Sequence, residues 1–333
     1  MTDFPTLADV LAARNAIRGI ALETPLIPSQ ALSAKAGTEV LLKLETMQPV
    51  GAFKIRGAAN AMANLTPEQK KRGVACCSTG NHGRGVAFAA RHHGVRAIVC
   101  LSKLVPQVKV DGILALGAEV RRIGESQDDA QLEVDRLVAT EGMMDLHPFD
   151  HPHVIAGQGT VGLEILSQRP DIETIVVPLS GGGLFAGIAL AAKAIKPSIR
   201  MIGVSMELGA AMIDSLKAGK PVDVTELPTL ADSLGGGIGL ENRWTFELCR
   251  RHADQTVTLS EAEIYRGMRA LFLDDRLVVE GGGSVGAAAL VAGKLDLKGP
   301  TALVVSGRNV DMTKFLSIAN GQPVTIGDMT VQG

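Results

Sequence analysis

From about residue 73 onward the chain alternates short aliphatic runs with stretches of helical periodicity, and this alternation constrains its fold more than any other feature. Val74 to Cys77, Ala97 to Leu101, Glu119 to Ile123 and Met143 to Leu146 read as strands. Gly85 to His92, Val108 to Leu116 and Asp128 to Thr140 read as helices between them, the last carrying apolar Leu132, Val134, Leu137 and Val138. A second set has strands at Ile175 to Leu179, Met201 to Ser205 and Ala302 to Ser306, with helices near Val161, Leu184, Ala210, Glu261 and Val285. Repeated β-α units imply an α/β protein with a parallel sheet covered by helices on both faces. With only eight Phe, one Trp and one Tyr, such a core must be built from aliphatic side chains and alanine. The tail from Val324 to Gly333 reads as peripheral.

Several turns between these elements have the composition of small-molecule sites. In Cys76-Cys77-Ser78-Thr79-Gly80-Asn81-His82-Gly83 a strand breaks into hydroxyls, a glycine and an amide before the helical stretch Val86 to Ala90. In Ile175-Val176-Val177-Pro178-Leu179-Ser180-Gly181-Gly182-Gly183-Leu184 a strand enters three glycines and then a helix. Glycines allow close backbone approach, and a helix N-terminus offers free N–H groups to negative charge, so a phosphate suits the second turn. In Thr301-Ala302-Leu303-Val304-Val305-Ser306-Gly307-Arg308-Asn309-Val310-Asp311 an apolar strand ends in a hydroxyl and a glycine, at the carboxyl end where open α/β sheets place ligands. Lys54 lies among small and apolar residues in Gly51-Ala52-Phe53-Lys54-Ile55-Arg56-Gly57-Ala58. A lysine that forms a Schiff base must lose its proton near neutral pH, which a partly desolvated setting promotes. A surface lysine on an amphipathic helix is the alternative.

In this order, Phe53 to Ala58, Ser78 to His82, Gly181 to Leu184 and Ser306 to Asn309 resemble the motifs of fold-type II pyridoxal-phosphate enzymes, within them most closely the threonine dehydratase and serine racemase branch. The likeness runs from about Leu22 to about Asp311. It is closest to the hydroxyectoine-utilisation dehydratases, through Ser180 to Gly183, Leu230 to Gly237 and Ser306 to Asn309. The resemblance implies a tryptophan synthase β-like architecture of two domains, each with a mainly parallel twisted sheet flanked by helices. A small domain, residues 69–151, would be inserted in a large one, residues 1–68 and 152–333, with pyridoxal 5'-phosphate between them.

By the same resemblance, Lys54, preceded by Phe53, would hold the cofactor as a Schiff base and act as acid and base at the substrate α-carbon. Ser180, Gly181, Gly182, Gly183 and Leu184 would wrap its phosphate, Asn81 would bond the ring hydroxyl, and Glu280 would lie near the ring unless it is an exposed turn residue. Ser78, Thr79, Gly80, Asn81 and His82 would receive the substrate carboxylate; for His82 a buried structural role is the alternative. Ser78 and Thr79 are also candidate catalytic hydroxyls, Thr79 standing where racemising relatives have a serine base. Ser306 would meet the ring nitrogen. A hydroxyl does not hold that nitrogen protonated as an aspartate would, so the ring is a weaker electron sink and loss of a β-substituent competes well.

Ser180 and Arg308 each replace a common glycine, and Arg308 would approach the ring nitrogen or bind an anionic group, with a structural salt bridge as the alternative. The divalent-cation site of similar racemases is not matched. Its acidic ligands fall on Ser205 and near Ala211, with Glu207 displaced, and a hard cation needs several oxygen ligands, so no metal is expected.

The expected activity is therefore a lyase reaction, elimination of water from a 3-hydroxy amino acid, threonine- or serine-like or derived from hydroxyectoine, to give a 2-oxo acid and ammonia. Racemisation and β-replacement are the alternatives on the same fold. A non-catalytic metabolite-binding protein is a remoter one, since Gly181 to Gly183 lack the Gly-x-Gly-x-x-Gly spacing of a dinucleotide turn. The formal net charge of −2 and the lack of a long basic run argue against a nucleic-acid partner. Apolar runs such as Ile188 to Ile195 fall far short of the roughly 18 residues of a membrane span. Cys76, Cys77, Cys100 and Cys249 show neither disulfide nor metal spacing, which with a signal-free N-terminus fits the cytoplasm. The resemblance adds a homodimer, and it leaves no room for the regulatory domain of similar biosynthetic dehydratases, so amino-acid feedback is not expected.

Overall fold

The computed structural model describes residues 4–78, 80–105 and 107–333. Its strands are β1 (Leu26–Pro28), β2 (Val40–Leu44), β3 (Val74–Cys77), β4 (Ala97–Leu101), β5 (Glu119–Arg122), β6 (Met144–Asp145), β7 (Thr174–Pro178), β8 (Arg200–Met206), β9 (Gln255–Leu259), β10 (Thr301–Val305), β11 (Val324–Ile326) and β12 (Met329–Val331). They form one sheet in the order β1-β2-β10-β7-β8-β9, a second in the order β5-β4-β3-β6, and the hairpin β11-β12. Every neighbouring pair in the two large sheets is parallel except β1 with β2. The seven strands read from the sequence all form, to within one residue at either end.

Successive strand residues point to opposite faces, so a strand buried on both sides is apolar throughout. In the six-stranded sheet Ile175, Val177, Ala302 and Val304 join one core cluster with Ile155, Val161, Phe185 and Ile188 of the helices Pro152–Gln168 and Gly183–Ile195. Val176, Ile202, Leu303 and Val305 point the other way, into a cluster with Ile264 and Met268 of the helix Glu261–Asp275 and Val285 of the helix Gly281–Val291. The four-stranded sheet repeats the pattern. Val74, Cys76, Val99 and Leu101 meet Val86 and Ala90 of the helix Asn81–His93, while Ala75, Ile98 and Cys100 meet Val134 and Leu137 of the helix Gln127–Glu141.

The helix Lys54–Ala63 packs in the same cluster as the four-stranded sheet, through Ile55, Ala58, Ala59 and Met62. Glycines let its neighbours come close. A Cβ on Gly157 would lie 2.7 Å from Gly57 Cα, and one on Gly85 would lie 3.1 Å from the Lys54 carbonyl carbon. The tail, by contrast, is not peripheral. Val324, Ile326 and Val331 of the hairpin are buried in the cluster that also holds Phe315 and Ile318, because the alternate residues of each short strand are apolar and find the last helix, Met312–Ala319, to cover.

Candidate active site

Lys54 opens its helix, and the residues before it are tied to the end of β10. The Phe53 N–H donates to the Ser306 carbonyl at 3.1 Å, and Ala52 forms an antiparallel bridge with Gly307. The Lys54 ammonium donates to the Pro148 carbonyl at 2.7 Å and lies 5.4 Å from the centroid of the Phe53 ring. It has no carboxylate partner among the described residues. Burial therefore acts uncompensated on the charged form and lowers its pKa to about 8.

One cavity is lined by Phe53, Lys54, Ser78, Gly80, Asn81, His82, Ser180, Gly181, Gly182, Gly183, Leu184, Glu280 and Ser306, residues expected from the sequence to act together. Thr79 lies outside the described residues. At the glycine turn Gly182 has φ +88°, which gives the chain its entry to the helix Gly183–Ile195, and the N–H groups of that first turn have no intrahelical acceptor. A side chain at Gly181 would collide with the Phe149 ring. The Ser306 and Ser180 hydroxyls make no hydrogen bond to any described side chain or backbone group.

The helix Asn81–His93 begins at the cavity, and Ser78 caps it: its Oγ accepts from the Gly83 N–H at 3.0 Å and from the Gly80 N–H at 3.3 Å. His82 is 4% exposed and donates from Nε2 to the Leu146 carbonyl at 2.6 Å. Burial, with the Lys54 ammonium nearby, pushes its pKa down to about 3, so the imidazole is neutral. Asn81 donates to Glu280 at 2.7 Å and accepts from the Asn309 side-chain amide at 2.6 Å. Glu280 also accepts from the Asn309 N–H at 3.0 Å. Burial and the nearby Asp232 raise the Glu280 carboxyl to about 7 against these hydrogen bonds. Glu280 is thus not an exposed turn residue; it is 3% exposed.

Arg308 does not join the site. The chain turns after Ser306 so that the Arg308 N–H bonds the Gly51 carbonyl at 2.9 Å, leaving its side chain exposed and out of the cavity lining. The next residue, Asn309, takes the inward place. Sequence reasoning also passed over the segment His147-Pro148-Phe149, which supplies the carbonyl on Lys54 and the ring on the glycine turn. Nothing in its composition marks it out.

A second omission lies behind Lys54. Arg56 sits two residues further on, about 200° around a helix of 3.6 residues per turn, and so points into the protein when Lys54 faces the cavity. Its guanidinium donates to Glu45 through Nε at 2.7 Å and Nη2 at 2.8 Å, to Glu164 through both terminal nitrogens, to Thr160 Oγ1 at 3.0 Å and to the Leu22 carbonyl at 3.0 Å. Glu164 also accepts from Lys43 at 2.6 Å. Burial alone would raise the Glu45 carboxyl, but the guanidinium outweighs it and holds the group below its ordinary range.

Among the described residues, no cluster of three or more His, Cys, Asp or Glu side chains is arranged to hold a metal ion. Ser205 is buried against Met206, and Glu207 is exposed.

Residues 17–307 match the family described as pyridoxal-phosphate dependent enzymes. The chain belongs to that family. Its cofactor is pyridoxal phosphate, and the fold is that of the fold-type II members. A threonine dehydratase homologue of Sinorhizobium fredii is 51% identical over 95% of this chain and 96% of its own. The L-threonine ammonia-lyase of Thermotoga maritima is 41% identical over 95% of this chain and 78% of its own. Maize serine racemase superposes with a TM-score of 0.90 at 32% identity, covering 95% of this chain and 97% of that one. The cavity fits the family's cofactor: a neutralisable amine, an anion-receptive glycine turn and an unpartnered hydroxyl surround one space, each matched to a different part of a phosphorylated pyridine aldehyde. Among the described residues, no helix is long and apolar enough to cross a membrane.

Proposed function

We propose that this enzyme is a dehydratase that removes water from a 3-hydroxy amino acid, threonine- or serine-like, to give a 2-oxo acid and ammonia. The observation that carries this reading is Lys54: buried, without a carboxylate partner, and able to shed its proton near neutral pH at the edge of the cavity. The likeness to the Thermotoga L-threonine ammonia-lyase and to the Sinorhizobium threonine dehydratase homologue supports it.

Pyridoxal phosphate, when bound, supplies an electron sink for the substrate α-carbon. Lys54 would carry the covalent link to it and, once displaced by the substrate amine, take the α-proton; the β-hydroxyl leaves with a proton as water. Ser180 to Leu184 would hold the phosphate by backbone N–H groups, as the N-terminus of the helix Gly183–Ile195 favours. Asn81, oriented by Glu280 and Asn309, would bond the ring hydroxyl, and Ser306 the ring nitrogen. Ser78, Gly80 and the N-terminus of the helix Asn81–His93 would receive the substrate carboxylate, with His82 holding that turn against Leu146 rather than exchanging protons.

Replacement Lys54→Ala tests the reading. It is expected to lose the absorbance of lysine-bound cofactor and at least a thousandfold of ammonia release, about 4 kcal/mol of barrier; a variant retaining both would refute it. The finer assignment, a hydroxyectoine-derived substrate, rests on the likeness of Ser180 to Gly183, Leu230 to Gly237 and Ser306 to Asn309 and is tested by kcat/KM across serine, threonine, both 3-hydroxyaspartate diastereomers and hydroxyectoine-derived amino acids. If serine and threonine dominate, that assignment fails. Likeness to maize serine racemase supports racemisation as the second reading; D-amino acid without 2-oxo acid would select it.

A further inference from the structure

We infer that Arg84 is a specificity residue that receives a second carboxylate on the substrate, so that the preferred substrate is a 3-hydroxy amino dicarboxylate. This rests on the dehydratase reading above and narrows its substrate class. Arg84 lies in the first turn of the helix Asn81–His93, three residues beyond Asn81 and therefore on the same side of the helix. It lines the cavity and is partly buried. Its guanidinium has no hydrogen bond or ion pair with any described residue. It lies along Gly112 of the helix Gln107–Leu114, where a Cβ would collide with the guanidinium, so the missing side chain at 112 makes the space it occupies.

The other charges of the cavity are paired or exposed. Lys109, one turn before Gly112, is already paired with Asp232 at 3.4 Å, Glu280 is held by Asn81 and Asn309, and Lys54 is the covalent anchor. Glu226 also lines the cavity but is exposed, so water screens its charge. That leaves one partly desolvated cation facing the substrate without a counter-charge. A planar guanidinium matches a carboxylate in a bidentate geometry, and charge-assisted hydrogen bonds of this kind discriminate strongly against a neutral group. The helix N-terminus beside it adds to the same positive field.

The test uses the holoenzyme with L-aspartate and L-alanine, which lack the leaving hydroxyl and bind without losing water. Each is titrated against the absorbance change of the bound cofactor, and the readout is the ratio of the two dissociation constants. Aspartate is expected to bind at least tenfold tighter than alanine in the unaltered enzyme. Arg84→Gln is expected to reduce that ratio about 10- to 100-fold, the scale of one or two charge-assisted hydrogen bonds, with Arg84→Lys intermediate. A ratio near one in the unaltered enzyme overturns the proposal. So does an Arg84→Gln variant that weakens both ligands equally or loses cofactor affinity instead, or a ratio that responds to Arg308→Gln rather than Arg84→Gln. Deamination of threonine without selectivity for aspartate refutes this inference and leaves the dehydratase reading intact. Selectivity for aspartate with no deamination of any 3-hydroxy amino acid leaves Arg84 as a receiver of the second carboxylate but refutes the dehydratase reading and, with it, the 3-hydroxy substrate.

Discussion

Replacing Arg56 by leucine is expected to destabilise the protein severely. The unaltered cluster is neutral, two cations (Arg56, Lys43) against two carboxylates (Glu45, Glu164), and both cations are at most 1% exposed. Leucine fills the volume of the stem but leaves one carboxylate buried without its cation. Removing one partner of a buried ion pair costs roughly 3–5 kcal/mol, far more than the net worth of the pair. At roughly 2–4 °C per kcal/mol for a large domain, the thermal midpoint of the holoenzyme is expected to fall by about 6–20 °C. Two signatures separate this cause from simple loss of packing. First, Glu45→Gln in the Arg56→Leu background restores neutrality, so the pair should cost clearly less than the sum of the single replacements. Second, the cost should shrink in acid. The orphaned carboxyl now has a folded pKa above its unfolded value, so in the variant stability is lost as pH rises from the unfolded to the folded pKa. Unaltered Glu45, with its depressed pKa, has the opposite sign and loses stability only as pH falls through the folded value. A midpoint lowered by less than about 2 °C, strict additivity with Glu45→Gln, or a cost that does not change between pH 5 and pH 8 would each refute the reasoning.

The pKa of Lys54 predicts that capture of pyridoxal phosphate by the cofactor-free protein accelerates about tenfold per pH unit below pH 8 and levels off above it, since only the neutral amine attacks the aldehyde. A profile still climbing toward pH 10 would show the amine to be solvated. The unfolded chain binds the extra proton between pH 8 and the ordinary lysine value of 10.5, so stability of the cofactor-free protein should rise with pH across that window, and Lys54→Ala should remove the rise. Ser306→Asp is expected to hold the cofactor ring nitrogen protonated, shift the cofactor absorbance and slow elimination by about tenfold or more. Unchanged spectra and rates would mean that Ser306 does not reach the ring.

The legible parts of the fold were those where local pattern and global burial agree. β3, β4, β7, β8 and β10 are continuous aliphatic runs because both faces of a parallel sheet are covered, and such runs stand out in one dimension. β2 did not stand out, because Lys43 interrupts Val40–Leu44, and that lysine is tolerated only since Glu164, more than a hundred residues away, neutralises it. β9 was hidden by the polar Gln255, Thr256 and Thr258 of a strand that pairs on one edge only. In the site, residues whose chemistry is carried by backbone and composition, the glycine turn and the lysine, were visible from the sequence. Arg308 and Arg84 were not distinguishable, since which of two arginines faces a cavity depends on where β10 ends and on a glycine at 112 that makes room for one of them.

The surroundings of Lys54 explain how one residue can be both fixed and reactive. Its backbone is held from three sides: by the bond of Phe53 to Ser306, by the close passage of Gly85 behind its carbonyl, and two residues on by the fork of Arg56 in the buried ion cluster. Its side chain is held by a single neutral carbonyl. A carboxylate there would keep the ammonium charged and lock it in place; a carbonyl positions the nitrogen without opposing loss of its proton, and burial then does the rest. The charges needed to anchor the helix are thereby kept on the face away from the chemistry. The same backbone bond places Ser306 in register with Lys54, so the residue proposed to carry the cofactor and the residue proposed to set the electron demand of its ring move as one unit. A substitution that loosens the Ala52–Gly307 bridge should therefore disturb cofactor absorbance and elimination rate together, even though neither residue lines the cavity.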